Sequence, residues 1–314
     1  MRAFVFPGQG AQAIGMGQDL ANAYPAARAV FEEVDDALGE ALSALIFDGN
    51  LETLTLTRNA QPALMAASMA AMRALEAEGI AITDADFVAG HSLGEYSALA
   101  AAGALGIADC ARLLRVRGDA MQQAVPQGVG AMAAILGLDA ATVAQIAEDA
   151  AQGEVCQLAN ENDPAQNVIS GHVAAVERAA VLAKAAGAKR ALMLPVSAPF
   201  HCALMQPAAD VMRGALHDTP LQAPAVPLVA NVTALPVTDP DTIRAQLVSQ
   251  VAGRVRWASS VEWMAAQGVT SFIEIGAGKA LSGMIRRIAK EAGTANVGTA
   301  AEAVAVAAAI KGEA

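Results

Sequence analysis

The spacing of apolar positions changes several times along the chain, and each change predicts a different element. Ala3 to Phe6 is a short apolar run suited to a buried strand, and Pro7-Gly8-Gln9-Gly10 stops it at once. Helical patterns dominate from about Met16 to Glu78. Ala85-Asp86-Phe87-Val88-Ala89 then reads as another buried strand, and the segment from Glu95 to Ala102 as a helix. A further helix is expected from about Ile107 to Val125, with Asp109 early in it, where a carboxylate suits the helix dipole.

Beyond Val125 the elements become shorter and alternate. Ala131 to Leu136 predicts a strand, Ala140 to Ala151 a helix and Val155 to Asn160 a strand. A turn at Asn162-Asp163-Pro164 precedes a strand at Asn167 to Ser170, a helix at Val173 to Ala186 and a strand at Arg190 to Leu194. The order βαββαβ matches a ferredoxin-like unit. The chain is therefore expected to carry a small domain at 125–196, inserted into a larger α/β domain made of 1–124 and 197–314. In the last part, Ser271 to Ile275 reads as a buried strand that ends at Gly276-Ala277-Gly278.

Composition narrows the function classes. The formal net charge of −11 argues against general nucleic-acid binding, which depends on neutralising phosphates. Only 4% of residues are aromatic although 55% are hydrophobic, so the core must consist chiefly of small aliphatic side chains. Cys110, Cys156 and Cys202 are scattered and the histidines dispersed, which indicates neither a disulfide framework nor a metal site. No apolar stretch approaches the ~18 residues of a membrane span. The first residues read as a strand and turn, not as a signal peptide, so the cytoplasm is the expected location.

The candidate chemistry centres on Gly90-His91-Ser92-Leu93-Gly94. A G-x-S-x-G pentapeptide between a strand and a helix is the pattern of a nucleophile elbow, which thrusts the serine out of the sheet. Ser92 needs a base to take its proton. His91 adjoins it in the tight turn and should point elsewhere, His172 opens a small-domain helix, and His217 sits at a polar helix end. His201 remains, in a segment stiffened by Pro195 and Pro199 where the chain re-enters the large domain. No carboxylate announces itself as a triad acid, so a Ser-His pair held by a backbone carbonyl is an equal alternative to a triad.

Arg117 falls near the centre of the apolar face formed by Cys110, Leu113, Leu114 and Met121, at about 100° per residue, with Arg112 and Arg115 pointing away. A buried guanidinium needs an anionic partner, either a structural carboxylate or the carboxylate of a substrate. The loop Pro7 to Gln12 lacks the spacing of a phosphate cradle; it is either a structural turn or a donor of a backbone N–H to an oxyanion, together with that of Leu93.

These motifs, in this order, resemble the malonyl-CoA:acyl carrier protein transacylases. The matching segments are Phe6-Pro7-Gly8-Gln9-Gly10, Gln61-Pro62, Gly90 to Tyr96, Arg115-Val116-Arg117-Gly118, Asn160 to Gln166, Pro199-Phe200-His201, Asn231-Val232-Thr233-Ala234 and Glu274 to Lys279. The resemblance spans nearly the whole chain and implies a hydrolase-like parallel-sheet core with the ferredoxin-like insertion. By carry-over, Ser92 receives the malonyl group, His201 shuttles the proton, and the N–H groups of Gln9 and Leu93 form an oxyanion hole. Arg117 binds the malonyl carboxylate, and Gln250 orients His201 through its main-chain carbonyl. Ala252-Gly253-Arg254 is longer than the family's usual link to Val255-Arg256-Trp257, and Ala11 and Cys202 stand where serines are frequent.

The implied reaction is ping-pong transfer from malonyl-CoA to the phosphopantetheine thiol of acyl carrier protein, in fatty acid biosynthesis, with no cofactor. Phe200 is expected to crowd an α-methyl branch. The alternatives are a malonyl transferase of polyketide synthesis or malonate decarboxylation, a thioesterase on the same elbow, and a non-catalytic carrier-docking module. Neither a nucleic acid nor a membrane is an expected partner. For an acidic carrier, Arg286, Arg287 and Lys290 on a late helix are the candidate docking cations, against an ordinary solvated helix face.

Overall fold

The first apolar run becomes the centre of a six-stranded sheet. In this computed structural model, which describes residues 1–196 and 198–312, the strands are β1 (Arg2–Phe6), β2 (Phe87–Gly90), β3 (Gly130–Leu136), β4 (Cys156–Asp163), β5 (Gln166–His172), β6 (Arg190–Met193), β7 (Leu228–Val229), β8 (Pro236–Val237), β9 (Ser271–Ile275) and β10 (Gly293–Val297). Ser197, where re-entry into the larger domain is expected, lies outside the described residues, as do 313–314.

The large sheet has the order β10-β9-β1-β2-β7-β8 and is parallel except at its β7–β8 edge. Ala3 to Phe6 are fully buried because helices cover both faces of a parallel sheet. Alternation along β1 sends Phe4 and Phe6 into the principal core with the helices Pro25–Leu38, Thr57–Ala77 and Ile107–Gln123. Ala3 and Val5 face the other way, into a cluster with Trp257, Phe272 and Ile285.

The second sheet is antiparallel with the order β4-β5-β3-β6. Ala133 and Ile135 of β3 pack with the helices Ala140–Ala151 and Val173–Ala185, whereas Met132 and Ala134 join the principal core. One face of this sheet thus looks toward the parallel sheet. The small sheet is also tied to the link between the helices Pro240–Ala252 and Trp257–Ala266, where Val255 bridges Asn160: Val255 N donates to Ala159 O at 2.8 Å and Glu161 N to Val255 O at 2.9 Å.

Some expectations shift. β4 continues through Asn162 and Asp163, so the turn falls at Pro164-Ala165. Those polar residues can occupy a strand because each finds a partner, His91 for Asn162 and Arg287 for Asp163. The helix from Ile107 ends at Gln123 and the last small-sheet strand at Met193. The strands β7, β8 and β10 come in addition to those expected: two are only two residues long, and Gly293 to Val297 is poor in branched apolar residues. Lys290 lies beyond the helix Ala280–Ile288 that carries Arg286 and Arg287.

Candidate active site

At the carboxyl end of β2 the chain reverses within three residues and enters the helix Gly94–Ala101. The turn closes only because two side chains are missing. A Cβ on Gly90 would lie 1.9 Å from the Gly94 carbonyl oxygen, and one on Gly94 would lie 2.2 Å from that of Phe6. Ser92 adopts a left-handed backbone with φ of 54°, a strained state for a residue with a Cβ. Asn231, just after β7, staples the turn: its Oδ1 accepts from Ser92 N at 2.8 Å and its Nδ2 donates to Gly90 O at 2.7 Å.

His201 also has a left-handed backbone, φ 59°, and its Nε2 stands 2.8 Å from Ser92 Oγ. Its Nδ1 lies 2.9 Å from Gln250 O and 3.2 Å from Gly253 O. Both carbonyls can only accept, so Nδ1 carries the proton and Nε2 presents its lone pair to the serine hydroxyl. Of the two arrangements open from sequence, the fold has the carbonyl-held pair: among the described residues no carboxylate is bonded to His201. Burial, and then the Arg117 charge, push the imidazole pKa down to about 3, which keeps it neutral and able to accept a proton.

Arg117 is buried, as its place on the apolar helix face requires. Its Nη1 donates to Gln61 Oε1 at 2.6 Å, and its Nη2 donates to Gln250 Oε1 at 2.8 Å and to Ser92 Oγ at 3.1 Å. The guanidinium carbon lies 5.6 Å from the Tyr96 ring centroid. Its Nε–H finds no partner among the described residues, and none of their carboxylates comes within ion-pair distance of it. Arg112 and Arg115 do turn elsewhere, Arg112 to Asp109 and Arg115 to Glu40.

The support behind Arg117 has no counterpart in the sequence reading. Gln61 is fixed by donating to Thr57 Oγ1 at 2.8 Å, and Thr57 donates to Gln9 Oε1 at 3.0 Å. Gln250 has two roles: its carbonyl meets His201, while its Nε2 donates to Ser92 O at 2.9 Å and to Glu95 Oε2 at 2.8 Å. Glu95 is only 1% exposed and accepts from Asn231 N as well. Burial pushes its pKa up to about 7, against the pull of Gln250, Asn231 and Arg117. Its one signal in the sequence is a glutamate immediately after the elbow, at the start of a helix with no polar face.

Gly8 brings the loop after β1 against the elbow, since a Cβ there would meet His91 O at 2.6 Å. Gln9 and Leu93 thereby border the same cavity of about 460 Å³, which Ser92, Arg117, Phe200 and His201 also line. His91 points away from Ser92, as expected, with its Nε2 2.9 Å from Asn162 Oδ1. His172 precedes the helix Val173–Ala185 and accepts from Val155 N through Nδ1; His217 is exposed beside Asp218. Arg286 and Arg287 are exposed near the end of the same helix, but Arg287 Nε lies 2.7 Å from the buried Asp163 carboxylate. Among the described residues there is no His, Cys, Asp or Glu group able to hold a metal, and no helix long and apolar enough to cross a membrane.

Comparison with known proteins places this site in context. Residues 3–310 match the acyl transferase domain family. The malonyl CoA-acyl carrier protein transacylase of Escherichia coli K12 is 51% identical over 91% of this chain and 92% of its own. The acyl-carrier-protein S-malonyltransferase structure from Bartonella henselae superposes with a TM-score of 0.97, at 55% identity, over 99% of both chains. A malonyl-transacylase solved in complex with its type II polyketide acyl-carrier protein gives 0.94 at 43% identity, again over 99% of both. On the strength of likeness that runs from the first strand to the last helix, the chain belongs to the malonyl-CoA–acyl carrier protein transacylase family.

Proposed function

We propose that this enzyme transfers a malonyl group from malonyl-CoA to the phosphopantetheine thiol of acyl carrier protein through a malonyl-serine intermediate, for fatty acid biosynthesis in the cytoplasm. The observation that carries the reading is the convergence on one oxygen. Ser92 Oγ lies 2.8 Å from the basic nitrogen of His201 and 3.1 Å from a guanidinium nitrogen of Arg117. A base and a fixed cation beside one nucleophile suit an acyl group with a free carboxylate.

In the first half-reaction His201 Nε2 takes the Ser92 proton as the oxygen attacks the thioester carbonyl. The developing oxyanion is received by the N–H groups of Gln9 and Leu93, of which each is worth roughly 3–4 kcal/mol in the transition state. His201 then gives its proton to the departing thiolate, and coenzyme A leaves as the thiol. The second half runs in reverse, with the phosphopantetheine thiol as attacker. The Gln250 carbonyl keeps the imidazole in one tautomer throughout, and no cofactor takes part, since both thioesters are substrates.

Arg117 holds the malonyl carboxylate and sets the selectivity. Its direct partners are the neutral amide oxygens of Gln61 and Gln250 and the Ser92 hydroxyl, which locate a guanidinium without neutralising it. An acetyl group would leave that buried guanidinium with no carboxylate bonded to it directly. Phe200, at the wall of the cavity beside His201, crowds an α-methyl branch and favours malonyl over methylmalonyl.

The parallel strands leading into the elbow support a hydrolase-like reading of the large sheet. The small-sheet order, with two helices on one face, supports a ferredoxin-like unit. We divide the chain accordingly into 1–124 with 197–314, and 125–196. Carrier docking on the Arg286, Arg287 and Lys290 surface belongs to the same proposal.

The test is incubation with radiolabelled malonyl-CoA with and without carrier protein. Wild type should retain label until the carrier arrives, and Ser92→Ala should retain none. Rapid release of free malonate would make the protein a hydrolase instead.

A further inference from the structure

Glu95 and Arg117 are both 1% exposed, yet they do not touch. Gln250 stands between them: its Oε1 accepts from Arg117 Nη2 at 2.8 Å and its Nε2 donates to Glu95 Oε2 at 2.8 Å. Arginine can only donate and an ionised carboxylate can only accept, so the orientation of the amide is fixed and its dipole links the two charges. The Ser92 carbonyl, which accepts from the same Nε2, favours the same orientation.

We infer that Glu95 is the internal counter-charge of Arg117, balancing the guanidinium through Gln250 while the site is empty and taking up a proton when the malonyl carboxylate arrives. The inference rests on reading Arg117 as the malonyl partner. Before acylation the buried cluster holds one positive and one negative charge. Malonyl brings a second negative charge, and an uncompensated buried charge is costly enough that a group shifts its protonation instead.

Two carboxylates would then compete for one guanidinium. The malonyl group would bond to it directly, whereas Glu95 reaches it only through an amide. Glu95 is also the one already poised to accept a proton, since burial holds its pKa at about 7 even against the Arg117 charge. The titratable groups nearest it are Tyr96 on its own helix and Arg117 across Gln250, with Cys110 against the Tyr96 carbonyl, His201 bonded to Ser92, and His91 beside Ser92 in the elbow, pushed down by burial. Tyr96 and Cys110 are pushed up by burial and stay neutral, and the His201 imidazole is pushed down.

Acylation itself is proton-neutral, because the serine proton leaves with coenzyme A as its thiol. Any ionisation of the free thiol is common to malonyl-CoA and acetyl-CoA, so the difference between the two isolates the carboxylate. The experiment is calorimetry of acyl-enzyme formation in two buffers of different ionisation enthalpy at about pH 7.5, with infrared difference spectra of protein carrying carbon-13 glutamate. Malonylation should take up roughly half to one proton more than acetylation, given a group titrating near neutrality. A glutamic-acid carbonyl band should appear with it, and Glu95→Gln should lose both.

Equal proton counts for the two acyl groups would overturn the inference. So would an uptake without a glutamate band, which would put the proton on another group, or an uptake that persists in Glu95→Gln. Should that variant fail to fold, the wild-type comparison and the band decide. Mass spectrometry of Ser92 separates this outcome from the parent reading: a malonyl-serine without extra uptake sinks only the counter-charge, and no malonyl-serine at all sinks the transferase.

Discussion

Ser92 takes its shape from backbone packed too closely for a Cβ at Gly90 or Gly94, whereas Arg117 is held by side-chain amides 56 and 133 positions away. Gly90 and Gly94 fix the elbow by having no Cβ, in space where backbone atoms would stand about 2 Å from one. The guanidinium is fixed by Gln61 and Gln250, which are themselves aligned by Thr57 and Glu95. Backbone sterics leave one geometry or none. A network of side chains has intermediate states, so the nucleophile is expected to fail completely and the cation by degrees.

Damage at the elbow should therefore give the largest effect. Ser92→Ala should lower transfer by about 10⁴-fold or more, the scale of losing a nucleophile in comparable hydrolases. Gly94→Ala should match it, because its Cβ would sit 2.2 Å from the Phe6 oxygen and displace the turn. Retention of radiolabelled malonyl group measures both. A Gly94→Ala enzyme with more than a tenth of wild-type activity would show the elbow to be pliable and dissolve the contrast.

The next effect should be selective. Arg117→Ala is expected to reduce malonyl transfer by about 10²–10³-fold, in line with losing a charge-assisted pair in a buried site, while acetyl transfer changes less than about tenfold. Gln250→Ala removes one of the acceptors for Arg117 but keeps the carbonyl toward His201, so it should lower malonyl transfer about tenfold to a hundredfold and narrow the malonyl-to-acetyl ratio. Initial rates with both thioesters decide. Equal losses for the two substrates in Arg117→Ala would remove the carboxylate-clamp role.

The same contrast separates what is legible in the sequence from what is not. The elbow, β1, β2, β9 and the order of the small-sheet elements rest on local signals: a glycine-flanked serine and short apolar runs. Arg117 is legible because a charge on an apolar helix face is conspicuous. Its partners are not, since Gln61 lies in a helix buried nearly all round and offers no contrast with its neighbours. Glu95 is hidden for another reason. A carboxylate in the first turn of a helix is ordinary, and only tertiary packing reveals that this one is buried between Asn231 and Gln250. The main-chain carbonyl of Gln250 has no sequence signature, so resemblance alone points to its role. The strands β7 and β8 escape notice because two-residue strands carry no period.

A smaller and sharper measurement concerns His201. Its pKa is lowered, so the neutral base should persist well below the ordinary histidine range and become protonated only near pH 3. Labelling of Ser92 by a serine-reactive reagent that carries no charge should then stay flat from about pH 8 to about pH 5, where an unperturbed histidine would already have lost most of its base form. An acid limb centred near 6.5 that persists in Glu95→Gln would mean that the imidazole is solvated, and that the backbone-held pair is looser than the elbow it serves.

The smallest expected effect lies outside both regions, on the surface proposed for the carrier. Arg286 bonds through Nη1 to the neutral Thr294 and forms no ion pair among the described residues, so its charge is free to act at a distance. Arg287 is half exposed, but its Nε lies 2.7 Å from Asp163, whose side chain is 1% exposed, so part of its charge is already engaged within the fold. Rim charges steer encounter more than they tighten a complex, and each is worth about 1 kcal/mol or less. Arg286→Glu should thus raise the carrier-protein KM a few-fold, more at low salt than at high, and Arg287→Ala should raise it less. Neither should alter the malonyl-to-acetyl ratio, because no bond runs from this helix to Arg117 or Gln250 among the described contacts. If Arg286→Glu leaves the carrier KM unchanged at low salt, the docking surface must be sought elsewhere; if it changes the acyl ratio, the amide network reaches further than the bonds around Gln250 indicate.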